Sequence, residues 1–459
     1  MKKVWRRTAV VYLLVAAFLA GLAVIAVQFF TNGRIWATQR ANLHLFSGGT
    51  VIAAGAVYDR DGAVLAQTID GERVFNNSAR IRKSTLHVVG DPQGYISTGI
   101  HSTYRTELTG YSFVNGLYSV AAGGKGNDLH LTISAELCAT AYDALGSSKG
   151  AVAVYNYKTG EILCSVSTPT YDVRNKPEDI DSDTTGKYDG IYLDRVCNGL
   201  YVPGSVFKIV TCASAIDNIP DIFSQTFTCT GKKVLETGTV ICSDVHGSQS
   251  FEQAFANSCN CAFAEIALQL GEHTLSQSVS QLGLLSELKV GKTSAGKCSF
   301  NVSGATPAEL AWAGVGQHTT MVTPMHMLVL AGAIANAGTS AKPYLVGSVT
   351  SGETNVSTGK TSYLDPVMTS QTALSLSGLM RNNVTSKYGD SSFKGLEMCG
   401  KTGTAEIENG APHAWFVGFS QKEDCPLAIA VVIENGGLAS ENALPVAQKV
   451  MKAAYNTIK

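Results

Sequence analysis

The feature that most constrains this chain is an uncharged apolar run near its start, from Thr8 to Phe30. As a helix rising about 1.5 Å per residue, these 23 residues would span about 34 Å, the thickness of a bilayer core. The run therefore reads as a transmembrane helix. A cleaved signal peptide would have a shorter apolar region, roughly 7 to 15 residues, followed by a small-x-small cleavage site. Lys2, Lys3, Arg6 and Arg7 precede the run and only Arg34 and Arg40 follow it closely. This excess predicts a short cytoplasmic tail (residues 1–7), a membrane span (8–30) and an extracellular or periplasmic remainder.

The remainder has the composition of folded protein. The chain is too long for one ordinary domain, so two folded units are expected beyond the helix. The first 34 residues hold five of the 35 basic residues and none of the 36 acidic ones, leaving a formal surplus of six negative charges on the rest. That balance gives no basic footprint for nucleic acid. Eleven cysteines in an exported protein permit disulfides, although the odd count leaves at least one thiol unpaired. Cys229 and Cys242 flank a turn-rich stretch that a bridge could staple, and they are the pair expected to form one.

From Thr31 to about Gly146 the sequence is polar, rich in glycine and β-formers, and punctuated by turn signals at Asp61-Gly62, Asp70-Gly71 and Gly123-Gly124. A second unit begins near Gly150, where two β-rich runs flank Lys158-Thr159-Gly160 in a hairpin pattern. The division predicted is a β-rich domain over 31–146 and a larger one over 147–459. Ser205 to Ile216 follows Pro203-Gly204 with helical periodicity. Thr323 to Ala337 has a threonine cap, Pro324 at the first helical position and Gly338 as its stop. Phe416 to Phe419 and Leu427 to Ile433 read as strands, and Val446 to Ile458 as a closing helix. Strands, then helices, then strands and a helix describe a mixed α/β unit with an inserted helical part.

Three short patterns in this unit suit nucleophilic acyl transfer: a serine beside an amine, a second hydroxyl to carry protons, and a cation for a carboxylate-ended substrate. Each is weak alone. S-x-x-K occurs at Ser205, Ser286, Ser294, Ser357 and Ser391. Only Ser205 opens a sustained helical pattern, which sets Lys208 on the same side about 5 to 6 Å away. S-x-N occurs at Ser258, Ser299 and Ser440, and K-T-G at Lys158 and Lys401. Lys158 occupies the predicted hairpin turn and precedes Ser205. Lys401 heads a strand, turn and strand running through Asn409-Gly410 to Ser420, and Gly403 on that strand would let a substrate backbone approach closely.

Gly395 to Thr402 also satisfies the P-loop pattern letter for letter. A P-loop must lead into a helix whose N-terminus holds phosphate. Here Gly403 and soon Asn409-Gly410 follow, and the bulky, acidic Leu-Glu-Met-Cys replaces the bare backbone that a phosphate cradle needs. His246 and His413 are scattered, without H-E-x-x-H or paired C-x-x-C, so no metal is expected, and no cofactor. Cys259, inside the second pattern, reads as a small packing residue.

Taken in order, Ser205-Val-Phe-Lys208, Ser258-Cys-Asn260 and Lys401-Thr-Gly403 resemble the penicillin-binding transpeptidase family. The stretches Leu200 to Thr211, Val315-Gly-Gln317, His413 to Gly418 and Gly150 to Ile162 are similar too. Upstream, Gly55 to Ala66 resembles the pedestal motif of the monofunctional class B members, and His87-Val-Val-Gly90 with Tyr104 to Gly110 also fits. One departure is Ala54, where the family often has arginine. The resemblance implies a serine β-lactamase-like transpeptidase domain, with an antiparallel sheet and helical subdomain, preceded by a pedestal (dimerisation-like) domain and one membrane helix.

It also implies roles. Ser205 would attack the penultimate D-Ala carbonyl of a peptidoglycan stem peptide, releasing terminal D-Ala, and would be acylated by β-lactams. Lys208 would take the serine proton, Ser258 would relay it to the leaving amine, Asn260 would orient the substrate amide, and Lys401 would polarise Ser258. Thr402 and Thr404 hydroxyls would hold the terminal carboxylate, while the N–H groups of Ser205 and Thr404 would form the oxyanion hole. The Glu-x-x-Leu-Asn that activates water in hydrolytic relatives is absent after Ser258. A D,D-carboxypeptidase or a β-lactam sensor would share the acylation step, although sensors usually carry several spans and a cytoplasmic effector. No glycosyltransferase-like segment fits before the pedestal, so the resemblance implies a SEDS-type glycosyltransferase as partner.

Overall fold

The computed structural model describes residues 2–37, 46–47, 50–51, 53–111, 124–393 and 395–458. Arg40 and Gly123, used above, lie outside them. The N-terminal apolar run belongs to one long helix, Lys2–Ala37. Its large side chains, among them Trp5, Leu13, Phe18, Ile25 and Phe30, are exposed. A helix that is apolar all round, with residues 3–31 exposed, suits a hydrocarbon surround. Among the described residues it is the one helix long and apolar enough to cross a membrane.

The first sheet has six strands in the order Thr354–Thr358, Val346–Ser351, Asp128–Leu131, Val57–Tyr58, Val64–Ile69, Glu72–Phe75. The predicted turn at Asp70-Gly71 is present, and both residues have positive φ (51° and 79°), as a tight two-residue hairpin between Ile69 and Glu72 requires. Two of the six strands come from beyond residue 146. The sequence boundary thus runs through this sheet, because the edge of Asp128–Leu131 is paired by a segment more than 200 residues away. Thr354–Thr358 is exposed along its whole length, so no apolar alternation announced it.

The second sheet is the core of the larger unit. Its strands run in the order Met398–Ala405, His413–Ser420, Leu427–Ile433, Gly150–Asn156, Ile162–Thr168, all antiparallel. Leu427–Ile433 is buried at every position because helices cover both faces, Ala443–Thr457 with Ala135–Leu145 on one and Pro324–Ala335 on the other. The caps read from sequence are present: Thr323 accepts from the His326 N–H, and Pro324 stands at the first turn. Around Lys158, the Asn156 side chain accepts from the N–H groups of Lys158 (2.9 Å) and Thr159 (3.1 Å), so this K-T-G is turn chemistry.

Asp59, in the stretch that resembles a pedestal motif, ties the first sheet to the helix layer under the second. Its Oδ1 accepts from the N–H groups of Asp61 (2.9 Å) and Ala63 (2.8 Å), and its Oδ2 from Ala135 (3.0 Å), the first residue of the helix packed under the second sheet. The carboxylate is 3% exposed, so water cannot replace it. The Ala54 position is served from a neighbouring strand, Arg73 donating to the carbonyls of Ala54 (3.3 Å) and Gly55 (2.7 Å). Asp59→Ala leaves three N–H groups without their acceptor, only that of Ala135 on a buried residue, and is expected to cost about 1–3 kcal/mol, a fall of a few degrees in melting temperature. An unchanged melting curve would refute this role.

Candidate active site

Pro203-Gly204 turns the chain so that Gly204–Phe207 forms one 3-10 turn, and the α-helix begins at Lys208. The helix was expected from Ser205. The tighter turn matters, because residues three apart eclipse in a 3-10 segment, and Lys208 Nζ reaches Ser205 Oγ at 3.0 Å. Gly204 has φ 53°, and a Cβ there would lie 2.7 Å from the Thr404 carbonyl oxygen. The turn is seated directly on the strand Met398–Ala405.

Lys208 is fully buried. Its Nζ donates to the Ser258 carbonyl oxygen (2.6 Å) and Asn260 Oδ1 (2.7 Å), and lies 3.2 Å from Ser258 Oγ. Lys401, 1% exposed, donates to Ser258 Oγ (3.0 Å) and to the Thr402 carbonyl (2.9 Å). Burial is the main cause that lowers both amines: Lys208 falls to about 8, while Lys401, further opposed by the charge of Lys208, falls well below the ordinary lysine value. The two shortest contacts of Lys208 are to carbonyl oxygens, which can only accept. A neutral Lys208 uses both its N–H bonds there and leaves its lone pair toward the two serine hydroxyls.

Ser258 sits in the left-handed region, φ 53°. Cys259 caps the helix Asn260–Gln281, its sulfur accepting from the Ala262 N–H (3.5 Å). Asn260 is fixed on both sides: its Nδ2 donates to the Ile241 carbonyl (2.9 Å) and its backbone N–H to Cys242 Sγ (3.3 Å).

The strand Met398–Ala405 lies at the edge of its sheet. Thr402 donates from both its N–H (3.1 Å) and its hydroxyl (3.0 Å) to the Tyr388 phenol, and Thr404 Oγ1 accepts from the Ala439 N–H (3.4 Å). The sequence reading of Gly403 needs correction. A Cβ there would lie 2.8 Å from the Val206 backbone nitrogen and 3.0 Å from the Pro203 carbonyl. The space it keeps open is filled by the serine's own turn, not by substrate. At the strand's end the Gln317 amide, oriented to satisfy both groups, donates to the Glu406 carbonyl (3.2 Å) and accepts from its N–H (3.0 Å). Trp415, fully buried, donates to the Val202 carbonyl (3.1 Å) and thereby holds the approach to Ser205.

Ser205, Lys208, Ser258, Asn260 and Lys401 thus meet in one hydrogen-bonded cluster. Lys158 is on the far turn. The P-loop alternative does not hold, since Met398–Ala405 is a strand and no helix follows Thr402. Tyr388 and the Arg195–Glu434–Tyr201 group, where Glu434 Oε1 accepts from Arg195 Nε and the Tyr201 hydroxyl at 2.7 Å each, escaped sequence reading. Tyr388 ends a π-helical stretch, Val384–Tyr388, that continues the helix Ser370–Asn383 and has no periodic signal of its own. The Cys229–Cys242 bridge is not formed: both are free buried thiols. The stretch between them is closed by its own hairpin, Lys232–Leu235 with Gly238–Ile241, leaving Cys242 to face His246 and Cys259.

Comparison with known proteins gives the chain a family and relatives of the same fold. The penicillin binding protein transpeptidase domain family matches residues 150–456. The chain is 29% identical over 380 residues to the peptidoglycan D,D-transpeptidase PbpA of Mycolicibacterium smegmatis, covering 75% of this chain and 76% of that one. Among solved structures, the D,D-transpeptidase domain of a peptidoglycan glycosyltransferase from Eggerthella lenta superposes with TM-score 0.76 at 28% identity, covering 88% of this chain and 98% of that one. Penicillin-binding protein A from M. tuberculosis, solved as a penicillin G acyl-enzyme complex, gives TM-score 0.76 at 26% identity over 88% of this chain and 99% of that one. A serine beside two buried lysines, on a fold of this kind, defines an acyl-transfer class. The chain belongs to the penicillin-binding protein transpeptidase family, in its class B branch.

Because Gly403 accommodates the 204–207 turn, Gly403→Ala forces the turn or strand to shift. The expected result is a loss of about 1–3 kcal/mol together with several-fold slower labelling by a fluorescent penicillin. Unchanged stability and labelling would show that the contact is slack.

Proposed function

We propose that this protein is a membrane-anchored peptidoglycan D,D-transpeptidase whose nucleophile is Ser205. The observation that carries the reading is the placement of Lys208 Nζ between Ser205 Oγ (3.0 Å) and Ser258 Oγ (3.2 Å), with Lys401 3.0 Å from the same Ser258 hydroxyl. Neutral Lys208 takes the Ser205 proton as the Oγ–C bond forms with the penultimate D-Ala carbonyl. Negative charge on that carbonyl oxygen is met by the N–H groups of Ser205 and Thr404. The C–N bond then breaks, and the departing D-Ala amine receives the Ser258 hydroxyl proton, which the Lys208 ammonium replaces. An amine from a second stem peptide, entering as the leaving group left, reverses these steps and forms the cross-link. A β-lactam opens by the same first half, giving a stable acyl-enzyme. Asn260 would orient the substrate amide, and Thr404, with Thr402 once its hydroxyl turns from Tyr388, would hold its carboxylate.

The domain division retained is a cytoplasmic tail, a membrane span, a pedestal that also uses strands Val346–Ser351 and Thr354–Thr358, and the transpeptidase unit. The basic residues ahead of the span support a cytoplasmic N-terminus. The exposed apolar helix supports a partner within the membrane, a SEDS-type glycosyltransferase. Cross-linking in membranes should capture that partner through the helix, and capture that persists after the helix is replaced by an unrelated span would count against helix pairing.

Ser205→Ala should abolish covalent labelling by fluorescent penicillin while the fold is retained; full labelling of that variant would refute the assignment. With Lys208 lowered to about 8, the base form gains population as pH rises. Wild-type acylation should therefore climb about tenfold per pH unit below that value and level off above it. A rate flat from pH 6 to 9 would place the base elsewhere. Transpeptidation is separated from carboxypeptidation by supplying a donor pentapeptide with an amine acceptor: cross-linked product is expected, and hydrolysis alone would overturn the transfer assignment.

A further inference from the structure

Beside the Ser258–Asn260 turn, four side chains converge for which the acyl-transfer chemistry has no use. Cys229 ends the strand Thr226–Cys229, Cys242 follows the strand Gly238–Ile241, His246 precedes the strand Gly247–Ser250, and Cys259 caps the helix Asn260–Gln281. Their ligand atoms all lie within 4.8 Å of one another. Cys242 Sγ is 3.5 Å from His246 Nδ1 and 3.9 Å from Cys259 Sγ. The three thiols are buried, and His246 is half-buried at the outer side of the cluster.

The distances select among the uses of such a cluster. A disulfide needs two sulfurs about 2.05 Å apart and would leave the third thiol and the imidazole idle. A tetrahedral zinc ion, with Zn–S near 2.3 Å and Zn–N near 2.0 to 2.1 Å, needs sulfurs about 3.8 Å apart and a nitrogen about 3.5 Å from each sulfur. Both measured pairs have these values before any ion is supplied. The ligand set is also of the right softness for zinc, three thiols and one imidazole with no carboxylate among them. Four protein ligands close the coordination sphere, which is the pattern of a structural site rather than one that binds and activates water.

The geometry points to a structural zinc site formed by Cys229, Cys242, His246 and Cys259, which clamps the Ser258–Asn260 turn to the small β-subdomain over 226–250. On binding, the three thiols lose their protons to solvent and the sulfurs become thiolate ligands, with no change of oxidation state. Two features tie the ion to the neighbouring chemistry. Cys259 stands between Ser258 and Asn260 in the chain. The Asn260 N–H donates to Cys242 Sγ (3.3 Å), a contact that strengthens when the sulfur becomes an anionic ligand. Zinc would therefore help to hold Ser258 in its left-handed conformation and Asn260 Oδ1 against Lys208.

The test uses the full-length chain purified in detergent under reducing conditions and loaded with zinc alone. Inductively coupled plasma mass spectrometry is expected to find about one zinc per chain, in the wild type and equally in Ser205→Ala, so the result is independent of the nucleophile assignment. His246→Ala and Cys229→Ser should lose most of the metal, whereas His246→Cys, which retains four ligands, should keep it and thereby controls for misfolding. Cobalt in place of zinc should give thiolate charge-transfer absorption and the intense visible bands of a tetrahedral site. Stripping with a chelator should slow penicillin labelling several-fold, and zinc should restore it. Less than about one zinc per ten reduced chains, or full zinc in both His246→Ala and Cys229→Ser, would overturn the site. An intact mass two daltons low in the protein as isolated, restored by reduction but with no zinc uptake afterwards, would replace it with a disulfide. Zinc removal that leaves the labelling rate unchanged would overturn the clamp.

Discussion

Everything around Ser205 is arranged for one buried amine. Lys208 has no exposed surface, and keeping it charged there is opposed by about 3 kcal/mol, the difference between its ordinary value and about 8. The fold tolerates this because the amine has acceptors on three sides, at Ser258, Asn260 and Ser205, all within 3.0 Å for their closest atom. No carboxylate is among them. An aspartate in that place would restore the charge and remove the base. The polar surroundings are strong enough to satisfy N–H bonds and too weak to hold a permanent ammonium, which is the condition a lysine needs to exchange protons near neutral pH.

That condition propagates outward. The eclipsed 3-10 turn brings Ser205 over Lys208, and the turn is held on its strand by the missing side chains of Gly204 and Gly403. Trp415 braces the preceding loop through Val202, and Gln317 closes the far end of the strand at Glu406. On the opposite side Ser258 occupies a backbone region that costs about 1–2 kcal/mol for a residue with a Cβ. That strain is sustained by Cys259 capping the following helix and by Asn260 anchored at both backbone and side chain. Rigid neighbours are what allow a strained residue to persist at a site of chemistry.

Much of this was legible in the sequence because it rests on local rules. The threonine cap and Pro324, the Asp70-Gly71 turn and the hairpin about Lys158 each need only a few adjacent residues. Ser205 was separable from four other S-x-x-K matches by helical periodicity, and the order of the three patterns carried the family resemblance. What escaped depends on contacts between distant segments. Gly403 looked like room for a substrate because its neighbour in space, Val206, is remote in sequence. The pedestal's outer strands are polar and come from beyond residue 345, so no composition shift marked them. His246 looked isolated because its three cysteine neighbours are spread over 31 positions, Cys229 to Cys259. The Cys-x-x-x-His spacing of Cys242 and His246 was the available signal.

The same strand edge explains why chemistry occurs where it does. Alternate residues of Met398–Ala405 turn their backbone groups away from the partner strand. At Gly400 the outward carbonyl is taken by Asn383 Nδ2 (3.0 Å), and at Thr402 the outward N–H is taken by the Tyr388 phenol (3.1 Å). At Glu406 both backbone groups are taken by Gln317. By the same alternation Thr404 faces that edge, between the two capped stretches and against Gly204, the residue before the serine. An extended peptide adding itself as a further strand therefore meets closed backbone on either side of Thr404 and can pair only there. Edge capping thus does two jobs with one set of side chains: it prevents unspecific strand addition, and it leaves its single opening beside Ser205.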